Sequence, residues 1–99
     1  MKALAWIVAG FGLIAGCATV VIPHPTALHA ERSGVALETL EHGRGLFVSH
    51  CGSCHLAPEP RSRNAEQWAL LLPEMLEDSR LDPQQATEVL AFLQALAAN

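Results

Sequence analysis

The chain has 99 residues, of which 51% are hydrophobic, and its formal net charge is −4. Six Lys and Arg stand against ten Asp and Glu, which argues against a nucleic-acid partner. The length allows one small domain. An acidic surface would favour a partner with a positive docking face, although plain solubility accounts for it equally well.

Residues 1–16 have the pattern of a secretion signal. Lys2 gives a positive start, residues 3–14 are almost wholly apolar, and small residues follow. The apolar run is shorter than the roughly 20 residues that a bilayer requires. We therefore predict a signal peptide rather than an uncleaved anchor.

The end of this signal carries a second feature. Ile14-Ala15-Gly16-Cys17 resembles the lipobox of bacterial lipoproteins. The resemblance implies cleavage before Cys17 and acylation of that residue, and several acyl chains anchor stably. The alternative is a free cysteine. Ala18 in place of Asp is, by resemblance to enterobacterial lipoproteins, typical of outer-membrane sorting, so we expect a lipid-anchored protein on the periplasmic side of a bacterial membrane.

The next segment, residues 17–34, is predicted to be a lipidated terminus followed by a flexible tether. It contains Pro23, Pro25 and Gly34 and shows no helical periodicity. Proline-containing tethers are extended and semi-rigid. The folded domain is accordingly predicted at residues 35–99.

The first predicted helix begins near Val35. Leu37, Leu40, Gly43 and Phe47 follow one another at spacings of three, three and four, as one helix face requires. A glycine inside a helix costs about 1 kcal/mol relative to alanine. Its position on the apolar face therefore predicts the close approach of another backbone.

A second helix is predicted to start at Asn64, with Gln67 completing a capping box. Pro73 lies inside it and removes one backbone hydrogen bond, which predicts a kink. Its apolar stripe consists of Trp68, Leu71, Leu72, Met75 and Leu76.

A third helix has Asp82 as its N-cap, Pro83 at its first position and Gln85 in a capping box. Its apolar face consists of Val89, Phe92, Leu93 and Leu96. No stretch alternates as a strand would, so we predict an all-α domain of three main helices. Its apolar core is marginal at this size, and a buried cofactor would complete it.

The run Cys51-Gly-Ser-Cys54-His55 is the attachment signature of a c-type haem. Two thiols can form thioethers with the porphyrin vinyl groups, and His55 can then be the proximal iron ligand. One alternative, a thioredoxin-like pair, belongs beside a βαβ pattern that the sequence lacks. The other is half of a zinc site, which needs further ligands. Four more histidines could supply them: His24, His29, His42 and His50.

The flanks of this motif resemble class I c-type cytochromes. Gly43, Phe47 and Cys51 match their N-terminal helix, and residues 89–93 match their C-terminal helix. The resemblance implies a small cytochrome c-like fold around one covalent haem c, in which these two helices cross at the glycine.

The sixth iron ligand is predicted to be Met75. The run from Trp68 to Met75 resembles the helix that follows the haem motif in many short cytochromes of this class, and a spacing of seven places both residues on one side. A thioether ligand raises the potential relative to bis-histidine ligation. The alternatives are that Met75 only packs the core, or that a histidine binds the iron instead.

Other haem contacts are implied more weakly by the same resemblance. The carbonyl of Pro58 or Pro60 could accept the ring N–H of the proximal histidine. Arg61 and Arg63 could pair with the haem propionates or belong to a solvated loop. Trp68 could touch the haem edge or simply fill the core.

These patterns predict an exported, membrane-tethered, single-haem electron carrier whose iron cycles between Fe(III) and Fe(II). Its partners would be redox proteins, and the absence of a catalytic cluster argues against an enzyme. Two alternatives stay open. One is a haem sensor with an open distal side, and the other is a haem subunit of a larger oxidoreductase complex.

Overall fold

A computed structural model describes residues 21–51, 58–77 and 79–98. The predicted signal at residues 1–16 and the predicted acylation site, Cys17, lie outside them. The described part contains four α-helices and one 3₁₀ turn, with no strand, so the all-α prediction is confirmed. The elements are α1 (Ala27–Ser33), α2 (Leu37–Cys51), the 3₁₀ turn (Pro60–Ser62), α3 (Ala65–Leu76) and α4 (Pro83–Leu96). None of these helices is long and apolar enough to cross a membrane.

Capping boxes start both α3 and α4, as predicted. At α3 the backbone N–H of Gln67 donates to Asn64 Oδ1 at 2.8 Å, and the backbone N–H of Asn64 donates to Gln67 Oε1 at 2.9 Å. The Asp82 and Gln85 pair repeats this arrangement at α4, at 2.8 and 3.0 Å. Each box gives acceptors to two backbone N–H groups, that of the N-cap residue and that of the residue three positions later, which the first helical turn would otherwise leave without a partner.

Helix α3 continues through Pro73 to Leu76. Proline has no N–H, so the carbonyl of Ala69 loses its usual helical donor. Trp68 and Leu72 are buried on the inner face of the same helix. Tertiary packing of that face therefore keeps the helix intact across the proline.

Helices α2 and α4 cross closely at Gly43. A Cβ atom at Gly43 would overlap the backbone carbonyl of Glu88 and lie 3.0 Å from Cβ of Phe92. The predicted close approach at this glycine is therefore present. Phe47, one turn further on, has its ring centroid 6.0 Å from that of Phe92 and 6.4 Å from that of Trp68.

One apolar core joins α2, α3 and α4. Its buried members are Ile22, Phe47, Trp68, Leu72, Val89, Phe92, Leu93 and Leu96. Seven of them belong to the predicted helix faces. The eighth, Ile22, precedes the first helix and comes from the segment that the sequence predicted to be a tether.

A helix that the sequence analysis did not predict, α1, occupies residues 27–33. Thr26 caps it, because the Thr26 N–H donates to His29 Nδ1 at 2.9 Å while the His29 N–H donates back to Thr26 Oγ1 at 3.4 Å. Gly34 ends it in the left-handed region, at φ 73°. Residues 17–34 are therefore not uniformly extended.

Candidate haem site

Cys51 is the last residue of α2 and lies half-buried against the apolar core. Phe47 is four residues earlier, and residues at this spacing share one helix face. The helix therefore directs the Cys51 thiol toward the side that packs on α3 and α4. Cys54 and His55, the other members of the predicted attachment motif, lie outside the described residues, so their roles stay predictions.

Burial raises the pKa of the Cys51 thiol above its ordinary value, because an apolar environment disfavours the thiolate. The same burial favours the neutral thiol over the more nucleophilic thiolate.

Met75 lies in the last turn of α3 and packs, partly buried, against the same core as Cys51. The predicted thioether ligand and the first attachment cysteine are thus at the border of one apolar cluster. This position is compatible both with iron ligation and with simple packing. The assignment of Met75 as sixth ligand stays a prediction.

Trp68 is fully buried, and its indole N–H donates to the carbonyl of Pro60 at 2.8 Å. Its ring also meets the ring of Phe47 edge to face, at an interplanar angle of 81°. Indole has a single donor. The chain itself therefore uses the polar group of Trp68, and the predicted contact of this ring with the haem edge stays a prediction.

The two predicted propionate partners have different surroundings. The Arg63 guanidinium lies 5.2 Å from the centroid of the Trp68 ring, a cation–π distance, and donates to Ser62 Oγ at 3.3 Å. Arg61 is exposed and lines an open cleft that α1, the start of α3 and α4 form, together with Arg32. A propionate contact stays a prediction for both arginines.

The Nδ1 atom of each of the four histidines in the described residues contacts another group of the chain, and the fourth of them, His50, is described below. His24 pairs with Glu41 at 3.0 Å, His42 pairs with Glu88, and His29 belongs to the cap of α1. Among the described residues, no group of three His, Cys, Asp or Glu side chains is placed to hold a metal ion.

His50, beside Cys51, makes a contact that the sequence did not indicate. Its Nδ1 donates to the carbonyl of Ser79 at 2.8 Å, and the carbonyl acceptor requires the proton to be on that nitrogen. Ser79 is buried, and its hydroxyl donates to the carbonyl of Leu76. This bond ties the connection between α3 and α4 to the end of α2 that carries Cys51.

Cys51 and Met75 border the core among other apolar side chains that are only partly buried, including Leu46, Leu71, Leu76 and Leu81. A haem macrocycle is a large apolar surface with two axial positions that soft sulfur or imidazole ligands fill. The apolar surroundings and the sulfur atoms of Cys51 and Met75 fit the chemistry of such a group.

The comparisons with known proteins give one match. A family model described as dihaem cytochrome c matches residues 47–99, which is more than half of the chain and includes the whole Cys-x-x-Cys-His motif. No curated protein and no solved structure shows a significant match.

Proposed function

The chain belongs to the dihaem cytochrome c family, and we propose that it acts as a single-haem electron carrier at a bacterial membrane. Covalent haem c and electron transfer, rather than enzymatic catalysis, follow from the family. The finer proposal rests on one observation. The family takes its name from two haems, whereas these 99 residues contain one Cys-x-x-Cys-His motif, at residues 51–55.

In this proposal Cys51 and Cys54 hold the haem, His55 is the proximal ligand and Met75 fills the sixth position. The bound haem supplies a one-electron Fe(III)/Fe(II) couple. The chain's own contribution is to exclude water and to fix the ligands. The buried rings of Phe47 and Trp68 support this role because they give the half-buried thiol of Cys51 a rigid apolar neighbour.

We further propose that Cys17 is acylated and that redox proteins at the same membrane exchange electrons with the haem. The order of apolar run, small residues and cysteine supports the anchor. The outer membrane is the proposed location because Ala18 follows the cysteine.

The haem count is tested on protein from a host that matures c-type cytochromes. A pyridine haemochrome spectrum combined with iron analysis should give one covalent haem per chain. Two haems per chain would contradict the single-haem proposal, and no covalent haem would contradict the attachment motif itself.

The sixth ligand is tested with Met75→Ala, using Leu71→Ala as the matched control because Leu71 also lies partly buried on α3. Loss of the thioether should lower the midpoint potential and let ferrous iron bind carbon monoxide. The control should do neither. Ready carbon monoxide binding by the unchanged protein would favour a ligand sensor instead.

The anchor is tested with Cys17→Ser. Release of the holoprotein from the membrane fraction into the soluble periplasm is the expected result. Continued membrane association of the variant would contradict acylation at this residue.

A further inference from the structure

We infer that residues 21–25, called the strap from here on, hold the haem domain close to the phospholipid headgroup surface. The inference rests on the proposed acylation of Cys17. In this arrangement the tether between Cys17 and the folded domain is short, because the strap is fixed to α2.

The first observation is the burial of Ile22. Only 5% of this residue is exposed, and it belongs to the same core cluster as Phe47 and Trp68. Removing an isoleucine side chain from water is a substantial apolar contribution to docking. Val21, directly before it, is 82% exposed.

The second observation is a clamp made by Arg44. Its Nη2 donates to the carbonyl of Ile22 at 2.7 Å, and its Nε lies 3.1 and 3.2 Å from the carbonyls of Ile22 and Pro23. The guanidinium is partly buried at this contact. One side chain of α2 therefore holds two consecutive peptide groups of the strap.

One further contact extends the strap along α2. His24 Nδ1 lies 3.0 Å from Glu41 Oε1, on the turn of the helix before Arg44. Pro25 is buried, and Thr26 then caps α1. The strap is thus continuous with the folded domain.

The number of residues between Cys17 and the docked strap limits the distance between the clamp and the acylated residue. Ile22 is five positions after Cys17, and an extended chain spans at most about 3.6 Å per residue, so the clamp lies within about 18 Å of the acylated residue. A tether free as far as Gly34 would have seventeen residues and a reach of about 60 Å. The docked strap keeps the domain at the membrane.

The same geometry places the haem-attachment end. Cys51 is seven positions after Arg44 in α2, which corresponds to about 10 Å along the helix axis. The attachment end is therefore close to the strap. A redox partner that suits this position is one embedded in, or bound to, the same membrane.

The experiment uses the acylated holoprotein on phosphatidylethanolamine–phosphatidylglycerol vesicles that contain a headgroup-labelled fluorescent lipid. The haem absorbs light and quenches nearby fluorophores steeply with distance. A double variant, Ile22→Ser with Arg44→Gln, frees the strap and should reduce quenching by about twofold or more, because the released chain extends much further. Arg80→Gln removes the same charge from an exposed site and should leave quenching unchanged.

A second variant distinguishes the effect of tether length from a folding defect that the double substitution could cause. Insertion of ten Gly-Ser residues between Ala18 and Thr19 leaves every strap contact in place, lengthens the tether and should reduce quenching similarly. Unchanged quenching in both variants would overturn the inference.

The failure of the anchor is distinguishable from the failure of the strap. Holoprotein that does not bind vesicles contradicts acylation and, with it, the membrane contact. In that case the thermal midpoint of the soluble Cys17→Ser protein reports on docking alone. A midpoint that the strap substitutions do not lower would overturn docking of the strap.

Discussion

Two adjacent residues of α2, Gly43 and Arg44, fasten the helix to different partners by opposite means. Gly43 has no side chain, so the backbone of α4 approaches at Glu88. Arg44 has the longest side chain on the helix and reaches out to the carbonyls of Ile22 and Pro23. The contact at Gly43 requires the absence of a side chain, whereas the contact at Arg44 requires a long one.

The difference teaches which contacts an amino-acid sequence reveals. A glycine on an apolar helix face is conspicuous, because it breaks a pattern of large residues at a known energetic cost. An arginine that donates to backbone carbonyls leaves no such trace, since every residue offers a carbonyl. The comparison predicts a ranking of substitution effects, which four experiments test.

The largest effect is expected for Gly43→Val. The new side chain would overlap the carbonyl of Glu88, which is backbone and cannot turn away, so we expect a loss of about 3 kcal/mol or more. Thermal unfolding of the holoprotein measures it.

Gly45→Ala is the matched control, because nothing lies within 4 Å of a Cβ at that position. Alanine should stabilise α2 by roughly 0.5 to 1 kcal/mol. Equal effects at the two glycines would contradict the close crossing.

A smaller loss is expected for Trp68→Phe. This change leaves the carbonyl of Pro60 buried without its donor and removes part of a fully buried ring, at a cost of about 2 kcal/mol. Chemical denaturation at equilibrium gives the value. Leu70→Ala, on the exposed side of the same helix, should cost less than about 0.5 kcal/mol. A loss at Leu70 as large as that at Trp68 would contradict the conclusion that the buried contacts of Trp68 stabilise the fold.

The strap should respond more weakly than the core. Ile22→Ala removes buried methylene and methyl groups, yet a segment ahead of the first helix can detach without unfolding the rest. We therefore expect a loss of about 1 to 2 kcal/mol in thermal unfolding, below the usual range for buried isoleucine. Val21→Ala is the control and should have no measurable effect. A loss as large as that of Gly43→Val would mean that the strap and the helix crossing unfold together.

The smallest effect is expected for His24→Ala. The side chains of His24 and Glu41 are 65% and 43% exposed, and such surface pairs contribute less than about 1 kcal/mol. The difference from wild type in thermal midpoint measures it. A loss as large as that of Ile22→Ala would show that His24 contributes more than a surface pair.

Much of the fold could be predicted from the sequence. Asn64 and Asp82 both start helices through the boxes that their spacing indicates, and Gly43 lies at the predicted crossing. These features follow local rules, in which residues three or four positions apart meet on one helix. The all-α class followed from them.

The rest depended on contacts between distant parts of the chain. Helix α1 escaped notice because His29, rather than Glu or Gln, completes its capping box, although Thr26 and Gly34 at its two ends were visible signals. Burial of Ile22 and the bond from His50 to Ser79 had no local signal. Of the candidate site, the structure brings Cys51, Trp68 and Met75 to one core, while ligand identity depends on the haem itself.

The chemistry of the Arg44 clamp has a practical consequence for ionic conditions. The clamp joins a charged guanidinium to the neutral peptide carbonyls of Ile22 and Pro23. Salt weakens charge pairs at the surface far more than a partly buried hydrogen bond to a neutral acceptor. The strap should therefore stay docked as the ionic strength changes.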